Sequence, residues 1–291
     1  MSGSHPSISF GQLRANGFTF DMRRSGPDDG ELVLALHGFP QTGAAWNECL
    51  RGLAGNGYLA VAPDQRGYSP GARPDRVQDY GVEHLAGDVL AMAEALGASR
   101  FHVVGHDWGG AVGWFLAARS PERLLSFTSV STPHPRAMAA AMVGPQALRS
   151  MYIPFFRLPW VPERVLGAGH HRLLREALVR SGLPSDKAKA TVARLERTDA
   201  LPSALAWYRA AGPGLVRSVG PIEGVPTMYV WSTGDTALGR GAAERTAAQV
   251  TAPYRFEVLD GVSHWIPETA PEALTALLVE HLGSVGPGAA G

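Results

Sequence analysis

An α/β fold built on a mainly parallel sheet is what this chain predicts, and three observations predict it. Short apolar runs rich in Val, Leu and Ala alternate with stretches of helical periodicity. Several runs are continuous rather than alternating, as in strands covered on both faces. The polar motifs follow those runs directly, which sets them beyond the strand C-termini, where sheets of this class bind ligands.

The elements are justified in chain order. Ile8 to Phe10 and Phe18 to Met22 alternate as two antiparallel edge strands. Leu32–Leu36 is an unbroken apolar strand ending in His37-Gly38-Phe39-Pro40, and a helix is expected from about Ala44 to Leu53. Tyr58 to Ala62 is a buried strand running into Pro63-Asp64-Gln65-Arg66-Gly67, followed by a helix over Val82 to Leu96. Arg100 to Val104 is the next strand and Ala111 to Ala118 a helix, with Gly105-His106-Asp107-Trp108-Gly109-Gly110 between them. Leu124 to Val130 is a sixth strand, ending in Ser131-Thr132-Pro133-His134-Pro135.

From residue 136 to 221 strand character disappears and apolar residues recur at helical spacing, which predicts a helical cap inserted after strand 6. Strands return at Thr227 to Trp231 and Arg255 to Leu259, with helices over Ala242 to Gln249 and Pro271 to Leu282. The expected division is a core of 1–135 and 222–283, a cap of 136–221 and a Gly- and Pro-rich disordered tail over 284–291.

Composition narrows the class. The 291 residues are 45% hydrophobic, with 26 basic and 26 acidic side chains, so no charge excess points to nucleic acid. No apolar stretch approaches the roughly 20 residues of a membrane span, and the N-terminus lacks a signal-peptide pattern. Cys49 is the single cysteine, which rules out an intramolecular disulfide and reads as a packed helix residue. A cytoplasmic, bacterial protein is the expectation, the latter from basic residues that are nearly all Arg. No metal or organic cofactor is implied. His170-His171 lacks a ligand spacing and reads as a solvated or packing pair. A homodimer stays open.

The chemistry centres on Asp107. Glycines at 105, 109 and 110 allow a strand to turn sharply into a helix and lift the middle side chain into a cleft. That position usually carries serine; here it carries a carboxylate. Helix capping is the alternative use of an Asp there. Asp235 follows the strand at Thr227 to Trp231, and His264 follows the strand at Arg255 to Leu259, in the order nucleophile, acid, base. His264 would act as general base and Asp235 would orient it. Asp260 is the rival acid but precedes Gly261 and reads as a turn residue; no carboxylate stands at 130–132. His106 and His134 read as loop-orienting residues.

With His37-Gly38-Phe39-Pro40, Asp64-Gln65-Arg66-Gly67, Gly105 to Gly110, Thr132-Pro133-His134-Pro135 and Ser263-His264-Trp265 in this order, the chain resembles the α/β-hydrolase family over essentially its full length. It is most similar to the Asp-nucleophile branch of epoxide hydrolases and haloalkane dehalogenases. That resemblance implies an eight-stranded, mostly parallel sheet and an oxyanion hole from the backbone N–H groups of Phe39 and Trp108. It also implies paired cap tyrosines, matched here by Tyr152 and Tyr208, that polarise an epoxide oxygen. His37, Pro40, Trp108, Phe155 and Trp207 are expected at the substrate. A carboxylate nucleophile suits attack at saturated carbon, because the resulting ester can be hydrolysed and an ether cannot.

The leaving group is decided by the donors around it. An opening epoxide needs a proton donor, which Tyr152 and Tyr208 would supply; a halide needs weak N–H donors. Trp108 serves either case. The dehalogenase alternative, using the same Asp-His-Asp triad, would need an Asn where Phe39 stands or a cap Trp such as Trp160. Epoxide hydrolysis to a vicinal diol, with a mostly apolar substrate and water as co-substrate, is therefore the favoured expectation.

Overall fold

The computed structural model describes residues 6–212 and 214–285. An eight-stranded sheet forms its centre: β1 (Ser9–Ala15), β2 (Phe18–Ser25), β3 (Leu32–Leu36), β4 (Leu59–Pro63), β5 (Phe101–His106), β6 (Leu124–Val130), β7 (Thr227–Gly234) and β8 (Tyr254–Ser263). The spatial order is β1-β2-β4-β3-β5-β6-β7-β8. β2 runs antiparallel to both β1 and β4, and every later neighbour pair is parallel.

The period of two along the inner strands sorts their side chains into two cores. Val33 and Ala35 of β3, with Ala60 and Ala62 of β4, pack on one face. Leu32, Leu34 and Leu36, with Leu59 and Val61, pack on the other. Helices cover both faces: α1 (Asn47–Gly55), α2 (Val82–Ala95) and α3 (Trp108–Arg119) in the first half of the chain. Cys49 is buried in α1, as a packed helix residue.

Seven helices lie between β6 and β7 among the described residues: α4 (Pro135–Ala141), α5 (Gln146–Arg149), α6 (Tyr152–Arg157), α7 (Val161–Arg180), α8 (Ser185–Thr198), α9 (Leu201–Ala210) and α10 (Gly214–Ser218). The chain closes with α11 (Arg240–Arg245), α12 (Ile266–Thr269) and α13 (Pro271–Gly283). α7 is broken inside: Ala168 is extended and Gly169, His170 and His171 take positive φ. The break separates the paired histidines. His170 is exposed and pairs with Glu196 of α8, whereas His171 is buried against the Leu166 carbonyl. Of the glycine-rich C-terminal segment, Ser284 and Val285 form a turn, and residues 286–291 lie outside the described residues.

The helical insertion is fastened to the sheet by specific polar contacts. Trp207 donates its indole N–H to the Arg66 carbonyl at 2.9 Å. Arg66 is itself buried and forms a two-bond pair with Asp88 of α2, at 2.6 and 2.7 Å. Arg194 of α8 reaches Asp64 at 2.9 Å and Asp21 at 3.0 Å. Leu174, Leu195, Leu205 and Trp207 of the insertion join the same apolar cluster as β3 and β4, so the inserted helices roof the C-terminal edge of the sheet. No helix among the described residues is long and apolar enough to cross a membrane.

Candidate active site

Asp107 is the single residue between β5 and α3. Its backbone is strained, at φ 51° and ψ −118°, a conformation that L-residues adopt only when their surroundings enforce it. Close approach requires the neighbouring glycines. A Cβ on Gly38 would stand 2.2 Å from the Asp107 Cβ, and one on Gly109 would stand 2.2 Å from the Leu36 carbonyl oxygen. Although Asp107 occupies the N-cap position of α3, its side chain makes no capping bond. Its Oδ1 instead accepts the Phe39 backbone N–H at 2.8 Å. The Trp108 backbone N–H, the first of α3, adds a further electrostatic pull on the same carboxylate. Burial raises the Asp107 pKa above the usual carboxylate range, against the opposing pull of His264 and of these two N–H groups.

The loop carrying Phe39 is set by His37. Burial pushes this imidazole down to about 4, so it is neutral. Its Nε2 accepts the Gln65 N–H at 3.0 Å, and its Nδ1 faces the Gly38 carbonyl at 3.1 Å. Expected at the substrate, His37 instead sits wholly buried beside the loop that carries Phe39.

His264 follows β8 directly and approaches Asp107 from the other side. Its Nδ1 lies 2.7 Å from Asp235 Oδ2. The second oxygen of Asp235 accepts the Ala237 and Leu238 N–H groups, each at 2.8 Å, so the carboxylate is locked in rotation. With Nδ1 donating to Asp235, Nε2 is left facing Asp107 Oδ2 at 3.9 Å. Burial disfavours charging this ring, yet the adjoining Asp235 and Asp107 carboxylates together hold its pKa above the ordinary value.

Two residues hold the main chain of this histidine. The Ser131 hydroxyl donates to the His264 carbonyl at 2.9 Å, and His106 Nε2 approaches the same oxygen at 3.0 Å. Ser131 stands just after β6, within the stretch 130–132 that carries no carboxylate. Asp260 lies within β8 rather than in a turn, and accepts the Thr233 hydroxyl at 2.7 Å at an exposed stretch of that strand. His134 caps α4, accepting the Arg136 N–H.

A cavity of about 290 Å³ opens over Asp107 and His264. Phe39, Pro40, Phe156, Leu174, Leu178 and Trp265 give it apolar walls. Tyr152 and Tyr208 both line it, with ring centroids 6.2 Å apart and nearly perpendicular planes. Burial, then the nearby Asp107 charge, raises both phenol pKa values, so both hydroxyls keep their protons at neutral pH.

Some expected contacts are displaced by one residue. Phe156 rather than Phe155 faces the cavity, packed 5.2 Å from Phe39 and 5.0 Å from Tyr208, ring to ring. Trp207 points the other way from Tyr208 and braces the Arg66 loop. Trp108 stands beside Tyr208, at 5.0 Å, rather than on the cavity wall. Trp160, the cap donor a dehalogenase would need, is 72% exposed. Arg149 and Trp265 line the cavity without having been anticipated. Adjacency of Trp265 to His264, and the three-residue step from Arg149 to Tyr152, were the available signals. Among the described residues no cluster of His, Cys, Asp or Glu could hold a metal ion.

Residues 31–271 match the family model of the alpha/beta hydrolase fold, and the chain belongs to that family. It is 33% identical to AB hydrolase superfamily protein YfhM of Bacillus subtilis, over 93% of this chain and 96% of that protein. Epoxide hydrolase A of Mycobacterium tuberculosis is 28% identical over 92% of this chain and 95% of its own. Among solved structures, epoxide hydrolase A from Mycobacterium thermoresistibile superposes with a TM-score of 0.82 at 25% identity, covering 96% of this chain and 99% of its own.

Proposed function

We propose that this protein hydrolyses epoxides to vicinal diols through an ester on Asp107. The observation that carries this reading is the division of labour on one carboxylate. Asp107 Oδ1 is held by the Phe39 N–H, while Oδ2 faces His264, in a cavity shared with two protonated tyrosines. The similarity to epoxide hydrolases, at 28% and 25% identity over nearly the whole chain, supports the substrate class.

In the first step Asp107 Oδ2 attacks a ring carbon from the rear. The carbon–oxygen bond breaks, and the oxygen takes a hydrogen bond or proton from Tyr152 or Tyr208. In the second step His264 Nε2 removes a proton from water, whose oxygen adds to the Asp107 carboxyl carbon. Negative charge then develops on Oδ1, where the Phe39 and Trp108 N–H groups stabilise it. Asp235 stabilises the imidazolium. Collapse expels the diol and restores Asp107 with one oxygen from water. The proton on His264 then neutralises the alkoxide or tyrosinate left by ring opening. The exposed Trp160 and the Phe39 side chain leave a departing halide without a second N–H donor of the expected kind.

Incubation with styrene oxide, a linear terminal epoxide and bromoalkanes of equal size tests this assignment. Diol from the epoxides with no halide release is expected. Halide release without diol would contradict it.

A further inference from the structure

Arg149 is the one arginine or lysine among the residues lining the cavity. It is fixed there: its Nη1 donates to the Asp235 backbone carbonyl at 2.7 Å. Its short helix, α5, is stapled to the loop that carries Asp235. Gln146 Nε2 donates to the Ala237 carbonyl, and Gln146 Oε1 accepts the Gly239 N–H, both at 2.8 Å. No carboxylate pairs with Arg149 among the described residues. Four further N–H donors of the guanidinium are thus available at the rim of an otherwise largely apolar cavity.

Loop fastening alone does not call for a guanidinium, because Gln146 already ties the same loop twice. A fixed, partly exposed cation at the edge of an apolar chamber instead suits a ligand with an anionic end. Asp107 would repel that end, so the anion belongs at the rim and the epoxide at the floor, with apolar chain between Phe156, Leu174 and Leu178. We infer that the preferred substrates are epoxides whose chain ends in a carboxylate bound by Arg149. This rests on the epoxide hydrolase reading above.

The test uses flexible terminal epoxides ending in a carboxylate, from short to medium chain length, each paired with the neutral epoxyalkane of equal length. At the best length the carboxylate should have the higher kcat/KM by about 10-fold, mainly through KM, the scale of one partly exposed charge-assisted hydrogen bond. Added salt should erode that ratio. Arg149→Gln should abolish it and Arg149→Lys should retain part. The inference is overturned by equal kcat/KM values at every length, or by an Arg149→Gln enzyme that keeps the ratio while losing activity on both members of a pair. Failure to turn over any of these epoxides overturns the epoxide hydrolase reading and this inference with it.

Discussion

His264 Nε2 and Asp107 Oδ2 stand 3.9 Å apart, close enough to attract and too far to hydrogen-bond. The separation suits a base that acts through water on the proposed ester rather than one that takes a proton from the nucleophile. The base is then dispensable for ring opening and required for hydrolysis. His264→Gln should give one equivalent of alkylated enzyme, visible by mass spectrometry on the peptide bearing Asp107. Turnover should fall by roughly 10³-fold, within the range of general base catalysis. Loss of alkylation along with turnover would mean that His264 takes part in the first step.

The same ring sets the acid limb. Asp235 and Asp107 hold His264 above its ordinary pKa against burial, and only the neutral ring can take a proton from water. Ester hydrolysis should therefore rise with pH as the ring loses its proton, at a midpoint below that of His264 in the free enzyme, because esterification removes the Asp107 charge that helps to hold the proton. Asp235→Asn removes the attraction that raises it, so the midpoint should move to lower pH while the limiting rate falls. Single-turnover decay of the ester across pH measures both; a midpoint moving upward would contradict this assignment.

Tyr152 and Tyr208 should act on ring opening alone. Each phenol keeps its proton because burial and Asp107 both oppose its loss. Tyr208→Phe and Tyr152→Phe should each slow ester formation, by about 10²-fold if a single donor is worth what an oxyanion donor is. The decay of a preformed ester should be nearly unaffected. Stopped-flow quenching of the tryptophan fluorescence during ester formation separates the two rates.

Stability offers an independent check on the frame. Asp88 and Arg66 form a buried two-bond pair, and the Arg66 carbonyl anchors Trp207 of the insertion. Asp88→Asn leaves the guanidinium buried without its counter-charge, which costs about 3 kcal/mol. Urea unfolding monitored by circular dichroism should show this loss. An unchanged midpoint would mean that solvent or another group compensates the charge.

Much of this architecture is legible in the sequence because burial on both faces leaves continuous apolar runs. Leu32–Leu36 and Leu124–Val130 are strands from end to end as read. β5 and β7 extend past their apolar runs, into Gly105-His106 and Ser232-Thr233-Gly234, because the polar residues that build the site interrupt the pattern at the strand ends. The early edge strands also run longer than their alternation suggests, to Ala15 and Ser25. α12, four residues long, is too short to show a period, and the break in α7 turns on three consecutive residues at positive φ.

The positions of Asp107, Asp235 and His264 follow from strand ends and chain order, which is why the three are legible together. Cap residues were harder. Helical phase cannot be fixed over the six residues of α6, so Phe155 and Phe156 exchange roles, and Trp207 and Tyr208 face opposite ways on α9. Arg149 carried no signal of its own, since its place depends on how Gln146 docks on a loop some ninety residues away.

The most direct test of the ester on Asp107 is one turnover in heavy-oxygen water with enzyme in excess over epoxide. The mechanism predicts an unlabelled diol and heavy oxygen in the peptide carrying Asp107. Heavy oxygen in the diol of that first turnover, with Asp107 unlabelled, would show that water attacks the epoxide directly and that Asp107 is not the nucleophile.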